Sequence, residues 1–479
     1  MKIHLFTLNA SHAHAALGIR CLRDALLQAG FEASVSEATG RDRTHTVLAQ
    51  LYGQDAAIYG FSCYIWNVEA MLALAADLKA LRPHSRIVLG GPEVSFDTER
   101  FTALPFVDAV LTGEGEAAMV KAATLTAAGE PLPRIIAGEP YADFLAPGIH
   151  YKKEETAANL LYYESSRGCP FSCAFCLSGS TDGHRVRAKS AEMTLADLAL
   201  FEQFPHPLTV KLVDRTFNFD RARAKAIWRG LLSDTYTKCY HFEIAAQLLD
   251  EESIRILSQF PAGKVRLEIG LQSTNSETLS AVARHADAKA VLDAAARLTA
   301  KGNVHVHLDL IAGLPFEDMD SFARSFDEAY FCCHVLQLGT LKLLHGTPLR
   351  RDAERHGMIA EAKAPYTVLK TSWLSFEELE ALRAISDLCE RLRDSGRFPR
   401  ILALILPHHL TPFAFYSDFC TYLKQNVKGE LQRISQRDLF VHLSHFLKHT
   451  LPEQVHTDIS LALRADFAAS EVRKPPHDL

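Results

Sequence analysis

The 479-residue chain reads as an α/β protein in three parts: an N-terminal doubly wound parallel sheet, a central partial (β/α)6 barrel of TIM type and a helical C-terminal domain. Three observations predict this. Short, near-continuously apolar segments alternate with amphipathic helical stretches, the pattern of parallel sheets covered on both faces. The alternation occurs twice, on either side of a stretch carrying Pro131, Pro133, Pro140 and Pro147. Beyond residue 355 strand signals give way to helical periodicity.

In the first part, residues 1–135, the predicted strands are Ile3–Leu8, Glu32–Ser36, Ala56–Phe61, Arg86–Gly90 and Val107–Leu111, with a helix at Val68–Leu81. Ligands of such sheets sit at the carboxyl ends of the strands. Those ends read Asn9-Ala10-Ser11-His12, Ser62-Cys63-Tyr64-Ile65-Trp66, Gly90-Gly91-Pro92-Glu93-Val94-Ser95 and Thr112-Gly113-Glu114-Gly115-Glu116. Glycine, serine and aromatics suit a binding rim, although ordinary turns use them too. Residues 136–155 read as a linker. In the second part, 156–355, the predicted strands are Leu160–Ser165, Leu208–Val213, His241–Ala246, Val265–Leu271, Val304–Ile311 and Val335–Leu341. Strands separated by helical stretches make a partial barrel with its site at the strand carboxyl ends. In the third part, 356–479, Phe376–Arg393 and Arg437–Lys448 are amphipathic, and the end from Lys474 reads as a disordered tail.

Composition narrows the class. With 48% hydrophobic and 23% charged residues the chain is an ordinary globular protein. No apolar run approaches the ~18–20 residues that span a bilayer, and the start, Met1-Lys2-Ile3-His4-Leu5-Phe6, lacks a signal peptide's apolar core. A cytoplasmic monomer without membrane contact is expected. A net charge of −6 with no dense Lys/Arg run argues against nucleic acid as a partner. Ten cysteines in such a chain point to metal or catalysis rather than to disulfides.

The strongest local signal is Glu164-Ser165-Ser166-Arg167-Gly168-Cys169-Pro170-Phe171-Ser172-Cys173-Ala174-Phe175-Cys176, directly after the first barrel strand. Thiolates are soft ligands suited to iron–sulfur clusters or zinc. A structural zinc site wants a fourth Cys or His, for which His184 is within reach in sequence. Other strand ends offer polar groups: Asp214 and Arg215, Glu243 and Gln247, Glu268 and Gln272, and Asp309-Leu310-Ile311-Ala312-Gly313-Leu314-Pro315. Each also suits a satisfied core layer.

The triplet resembles the radical S-adenosylmethionine (SAM) superfamily, whose Cys-x3-Cys-x-aromatic-Cys is matched by Cys169, Cys173, Phe175 and Cys176. The resemblance implies that the three thiolates hold a [4Fe–4S] cluster with one iron open to SAM, whose reductive cleavage yields a radical that abstracts hydrogen. It further implies SAM contacts from Phe175, Asp214, Arg215, Glu243, Gln247, Glu268, Gln272, Ile311 and Gly313, and an electron donor such as flavodoxin or ferredoxin. A flavodoxin-like doubly wound domain ahead of such a barrel resembles the cobalamin-binding class of that superfamily, in a branch with its own helical C-terminal domain. By that resemblance cobalamin rests on Asn9, Ser11, His12, Ser62, Tyr64, Trp66, Gly90, Gly91, Pro92, Glu93, Ser95, Gly113, Glu114 and Gly115. One departure stands out: the Asp-x-His-x-x-Gly fingerprint, whose histidine ligates cobalt, is absent, and the region reads Asn9-Ala10-Ser11-His12-Ala13-His14.

The reading implied is a cobalamin-dependent radical transferase that moves a methyl group to an unactivated centre of a small molecule or peptide. An alternative transfers the 3-amino-3-carboxypropyl arm of SAM to a thiophilic acceptor such as arsenic, held by the vicinal thiols Cys332 and Cys333. A non-enzymatic alternative is a cobalamin or metal sensor. Tyr366, Trp373 and Phe413–Tyr416 in the helical part are candidates to cap the barrel and select the substrate.

Overall fold

A computed structural model describes residues 1–153, 158–179, 185–204 and 208–470. His184 and the tail from Lys474 lie outside the described residues. The first sheet contains β1 (Lys2–Asn9), β2 (Glu32–Thr39), β3 (Ile58–Ser62), β4 (Arg86–Gly90), β5 (Ala109–Gly113) and β6 (Ile135–Gly138). All pairings are parallel, in the order β2-β1-β3-β4-β5-β6. Helices cover both faces, so successive residues of one strand enter different cores. Phe6 and Leu8 pack with Tyr59 and Phe61, whereas Ile3 and Leu5 pack with Ile58 and Val88. This is why the strands read as continuous apolar runs. The connection reverses at β1 and β3, the switch point where doubly wound sheets open a crevice.

The stretch expected to be a linker is structured. Ile135–Gly138 adds the sixth strand beside β5, and the short helix Ala142–Leu145 buries Phe144. Tyr151 is buried, its hydroxyl donating to the Ala15 carbonyl at 3.1 Å and accepting from the Tyr162 amide at 3.2 Å.

The second sheet is built from β7 (Leu160–Tyr163), β10 (Thr209–Leu212), β11 (Cys239–Ile244), β12 (Val265–Gln272), β13 (Val304–Ala312) and β14 (Val335–Thr340), while β8 (Ser166–Arg167) and β9 (Arg187–Ala188) form a small antiparallel ribbon beside it. The order β14-β13-β12-β11-β10-β7 is parallel throughout and leaves the barrel open between β7 and β14. Each predicted strand of this domain is present. Val210, Leu212, Tyr240, Phe242, Leu267, Ile269, Val306 and Leu308 point outward into the helix-covered core. The alternate residues Lys211, His241, Glu243, Glu268, His307 and Asp309 share the other face and line the lumen.

The C-terminal part begins with the ribbon β15 (Ile359–Ala360) and β16 (Val368–Lys370). Its helices are Phe376–Cys389, Pro399–Ile405, Pro412–Asn426, Gln436–Thr450 and His456–Ala469. Ser375 starts the first of them through a reciprocal capping box with Glu378. That helix rests on β14, where Ser386 donates to the Leu338 carbonyl at 3.0 Å. Phe413 and Tyr416 pack on Phe326, and the Tyr416 and Tyr330 hydroxyls meet at 3.0 Å. These aromatics are core, and they do not cap the barrel mouth. The fold class expected from the sequence is therefore the one observed.

Candidate active site

The loop after β7 is fixed from below by Asp214. Its carboxylate is fully buried and accepts from the Ser165 amide at 2.8 Å, the Ser166 amide at 2.6 Å and the Ser165 hydroxyl. Arg223, whose guanidinium donates to Ser165 Oγ at 2.6 Å, supplies the nearby positive charge. Burial raises the Asp214 carboxyl above the usual range although these donors oppose it. With its oxygens taken by the loop, Asp214 positions the cysteines and has no oxygen left for SAM.

Arg167, two residues before Cys169, ties the same loop to the first domain. It reaches Glu114 at 2.7 Å, Glu116 at 2.6 Å and Glu164 at 2.9 Å, with its guanidinium 4.5 Å over the Phe144 ring. Arg187 adds a second ion pair to Glu114. Glu114 is thus a clasp between the domains, and its carboxylate is already committed.

The three thiols follow. Thr216 lies 3.6 Å from Cys169, and Arg284 approaches Cys173 at 3.7 Å while donating to the Gly270 carbonyl. Burial raises the Cys173 thiol, the Arg284 cation pulls it back, and the thiols of Cys176 and Cys169 raise it further. The loop is docked by the Ala174 amide on Val282 O and the Leu349 amide on Ala174 O, both at 2.9 Å. Three thiols on one loop, beside a cation, suit a cluster that binds each through a different iron.

Above this loop stands the carboxyl edge of the first sheet. Tyr64 and Trp66, just past β3, stack at 4.4 Å and 10°, and Trp66 is 59% exposed. Tyr64 is near enough to Arg215 and Tyr162 of the barrel edge to feel their charges. Asn67, not singled out from the sequence, holds this corner together, its amide reaching Leu8 O at 3.0 Å and Ser62 O at 3.3 Å and its carbonyl accepting from the Tyr64 amide at 2.7 Å. Gly91 has φ +108°, and a Cβ there would stand 2.5 Å from Cys63 O, so this turn demands glycine. An exposed aromatic platform and a tight backbone loop on one edge fit a broad ligand such as a corrin.

Several predicted contacts on this rim serve the chain instead. Asn9 donates to His14 O at 3.1 Å and Glu37 at 2.9 Å, and Ser11 accepts from the Ala13 amide. His12 sits by Thr39 and Asp42, while His14 stacks on Tyr162 with Nδ1 2.7 Å from its hydroxyl. Glu93 is buried and accepts from the Tyr366 hydroxyl, which also receives Arg100 at 3.0 Å. Ser95 closes its own turn on Gly91 O at 2.8 Å. Tyr366, predicted near the barrel mouth, therefore clamps the Gly90–Ser95 loop.

Within the lumen Lys211 bridges Glu243 at 3.2 Å and Glu268 at 2.8 Å, and His241 meets Glu268 at 3.0 Å. Burial would raise Glu268, but His241 and Lys211 outweigh it and hold its carboxyl down at about 2. Both glutamates are thereby engaged within the barrel. Gln247 Oε1 and Gln272 Oε1, by contrast, are buried without a hydrogen-bond partner, as are atoms of His305, His307 and Asp309. Gln272, at the bulge that ends β12, has φ +74°. Ile311 and Gly313 stand at the top of β13, with Gly313 facing Leu341, Val368 and Leu379 of the C-terminal side. Cys332 and Cys333 precede β14 and lie at its amino end. A six-residue strand separates them from the carboxyl edge, about 20 Å at ~3.3 Å per residue. Cys333 is held by Arg393 at 3.4 Å and is buried. The pair is out of reach of the cysteine loop.

Residues 3–123 match the B12 binding domain, 163–329 the radical SAM superfamily, and 354–479 a protein family of unknown function, DUF4080. The 2-(S-pantetheinyl)-carbapenam-3-carboxylate methyltransferase of Streptantibioticus cattleyicolor is 26% identical over 308 residues, 56% of this chain and 44% of that protein. The chain thus spans less than half the length of this relative. In fold it resembles the cobalamin-dependent SAM radical enzyme OxsB with aqua-cobalamin and SAM bound (TM-score 0.67, 14% identity, 98% of this chain and 83% of that one). It also resembles the radical SAM methyltransferase TsrM from Kitasatospora setae with cobalamin and a [4Fe–4S] cluster bound (TM-score 0.64, 16% identity, 98% and 99%).

Proposed function

Since the chain joins a B12 binding domain, a radical SAM domain and a DUF4080 domain, we propose that it is a cobalamin-dependent radical SAM methyltransferase acting on a small molecule or peptide. The observation that carries the reading is the joining of the two edges: Arg167 fastens the cysteine loop to Glu114 and Glu116 of the first domain, whose carboxyl edge bears the stacked Tyr64–Trp66 pair. Cys169, Cys173 and Cys176 would hold the cluster. The platform and the Gly90–Ser95 turn would seat the corrin, with Gln247, Gln272, Ile311 and Gly313 at the SAM side. The chemistry supplied by the cofactors when bound is reductive cleavage of SAM and carriage of its methyl group.

The chain's own residues orient and enclose. Arg284 neutralises thiolate charge at Cys173, and Asp214 and Arg223 keep the loop in register. His14 is taken up by Tyr162 and is not free to ligate from the platform, whereas His12 is 71% exposed with only long contacts to Thr39 and Asp42. The position of Cys332 and Cys333 removes the support for an acceptor held by that pair. Product analysis after anaerobic reconstitution tests the proposal. Methyl transfer yields S-adenosylhomocysteine and 5′-deoxyadenosine, and accumulation of 5′-methylthioadenosine instead would replace it by aminocarboxypropyl transfer.

A further inference from the structure

The segment from Leu341 to Arg351 touches both loops to which the two cofactors are assigned. It leaves the carboxyl end of β14, where the Leu341 amide bonds to Ala312 O at 2.9 Å and the Leu343 amide to Tyr366 O at 3.0 Å. At one end it meets the Gly90–Asp97 stretch of the first domain. Gly346 has φ +90°, and a Cβ there would overlap the Phe96 ring, so that ring lies against bare backbone. His345 sits edge-on to Tyr366 at 4.9 Å with Nδ1 3.7 Å from Asp97, and Tyr366 in turn holds Glu93. At the other end the buried Leu349 donates its amide to Ala174 O, between Cys173 and Cys176, at 2.9 Å. Gly346 and Leu349 are joined by no more than about 10 Å of chain. That chain is stiffened from within. The buried Thr347 donates its hydroxyl to Leu344 O at 2.8 Å, and Arg350 donates to Leu343 O with its guanidinium 5.0 Å over the Tyr366 ring.

We infer that this strap makes corrin binding depend on the cluster: ligation of the Cys169–Cys176 loop fixes Leu349, and through Gly346 fixes the Gly90–Asp97 stretch. The inference rests on the proposed corrin seat and deepens it. A loop whose thiols are unligated is ordered by its own contacts alone, and metal ligation at three of its residues removes much of the freedom that remains. Ala174 lies inside that loop, so its carbonyl becomes a fixed acceptor for Leu349 once the thiols are tied together. A closely packed strap passes a displacement on instead of absorbing it. Gly346 and Leu349 are thus positioning residues. The clasp of Arg167 also joins the cysteine loop to the first domain, but it ends on Glu114 and Glu116 and leaves the Gly90–Asp97 stretch to the strap.

The test is hydroxocobalamin binding to the full chain, followed by absorbance, before and after the cluster is built, beside hydrogen exchange of the corrin-free protein. The wild type should bind about ten-fold more tightly with the cluster, a coupling of ordinary size. Exchange at residues 90–97 should slow on cluster assembly with no corrin present, a change that a merely structural role for the strap does not require. Gly346→Ala, which drives Phe96 away, should keep its iron and the protection of the Leu349 amide while losing both cluster effects on the first domain. Phe96→Ala, free of any left-handed backbone strain, should do the same. Equal affinity of the wild type with and without the cluster, unchanged exchange at 90–97, or coupling retained in both variants would overturn the inference alone. No binding in either state would overturn the proposed corrin seat, and this inference with it.

Discussion

The two parallel sheets are built alike and differ in what they leave unsatisfied. In the first, polar groups at the carboxyl edge are consumed by the chain: Asn9 by His14 and Glu37, Asn67 by Leu8 and Ser62, Glu93 by Tyr366, Glu114 by Arg167 and Arg187. Among its described residues only Arg20 leaves a buried polar side-chain atom unpaired. In the second, the lumen alone leaves such atoms on Gln247, Gln272, His305, His307 and Asp309. Buried polar groups are normally paired. The first sheet thus presents a finished surface at its carboxyl edge, while the lumen of the second keeps polar atoms that the chain itself does not pair.

The most severe way to break this contrast is to remove a ligand from the cavity's rim. Cys173→Ala should strip the cluster, with iron content at background and SAM cleavage reduced at least about 1,000-fold, read by iron assay and 5′-deoxyadenosine yield. Next in size is the clasp between the sheets. Arg167→Ala leaves Glu114, Glu116 and Glu164 facing one another and should cost about 2–4 kcal/mol of stability, seen as a melting point lower by several degrees. Arg167→Lys should recover only part of it, because one compact ammonium cannot serve three carboxylates.

Acid should weaken both sheets, the first through His4, which burial and Lys2 hold down at about 4, and the second through two histidines of its lumen. Burial, with neighbouring positive groups, holds His305 and His307 down at about 4. Below the unfolded value near 6.5 the unfolded chain binds the extra protons, so stability is lost as pH falls from about 6.5 towards 4. Chemical denaturation across that window should show the decline, and His307→Gln should flatten it. Tyr366→Phe removes the donor to Glu93 and should weaken hydroxocobalamin binding by about ten-fold, or 1–1.5 kcal/mol, with cluster content unchanged in the same sample. At the small end, Cys332→Ser with Cys333→Ser should leave iron content and SAM cleavage unaltered, because the pair lies at the amino end of β14.

Much of this arrangement was legible in the residue order. The strands of the barrel follow from their apolar runs, and the thiol spacing marks its loop. The missed strand Ile135–Gly138 is four residues long and follows Pro131 and Pro133, so its pattern could not outweigh the prolines. Strand-end position alone identified Asp214, Glu93, Glu114 and Glu268 as candidates but not their direction, which partners far along the chain decide. Arg284 reaches Cys173 across 111 residues of sequence, which no local motif reveals. Arg167 was visible inside the cysteine motif, and Asp309 inside the segment ending at Pro315. The role of Arg167 depends on Glu116, 51 residues earlier in the chain, which the motif does not show.

On the proposed reading one chain holds a corrin on the carboxyl edge of the first sheet and a cluster on the Cys169–Cys176 loop that Arg167 fastens to that sheet. Electron paramagnetic resonance of the protein reconstituted with iron, sulfide and hydroxocobalamin, then reduced, tests it most directly. The account predicts both a cob(II)alamin and a reduced-cluster signal, each broadened by the other, with the broadening lost in Cys173→Ala. Two unperturbed signals, or a chain that retains the cluster and binds no corrin, would contradict it.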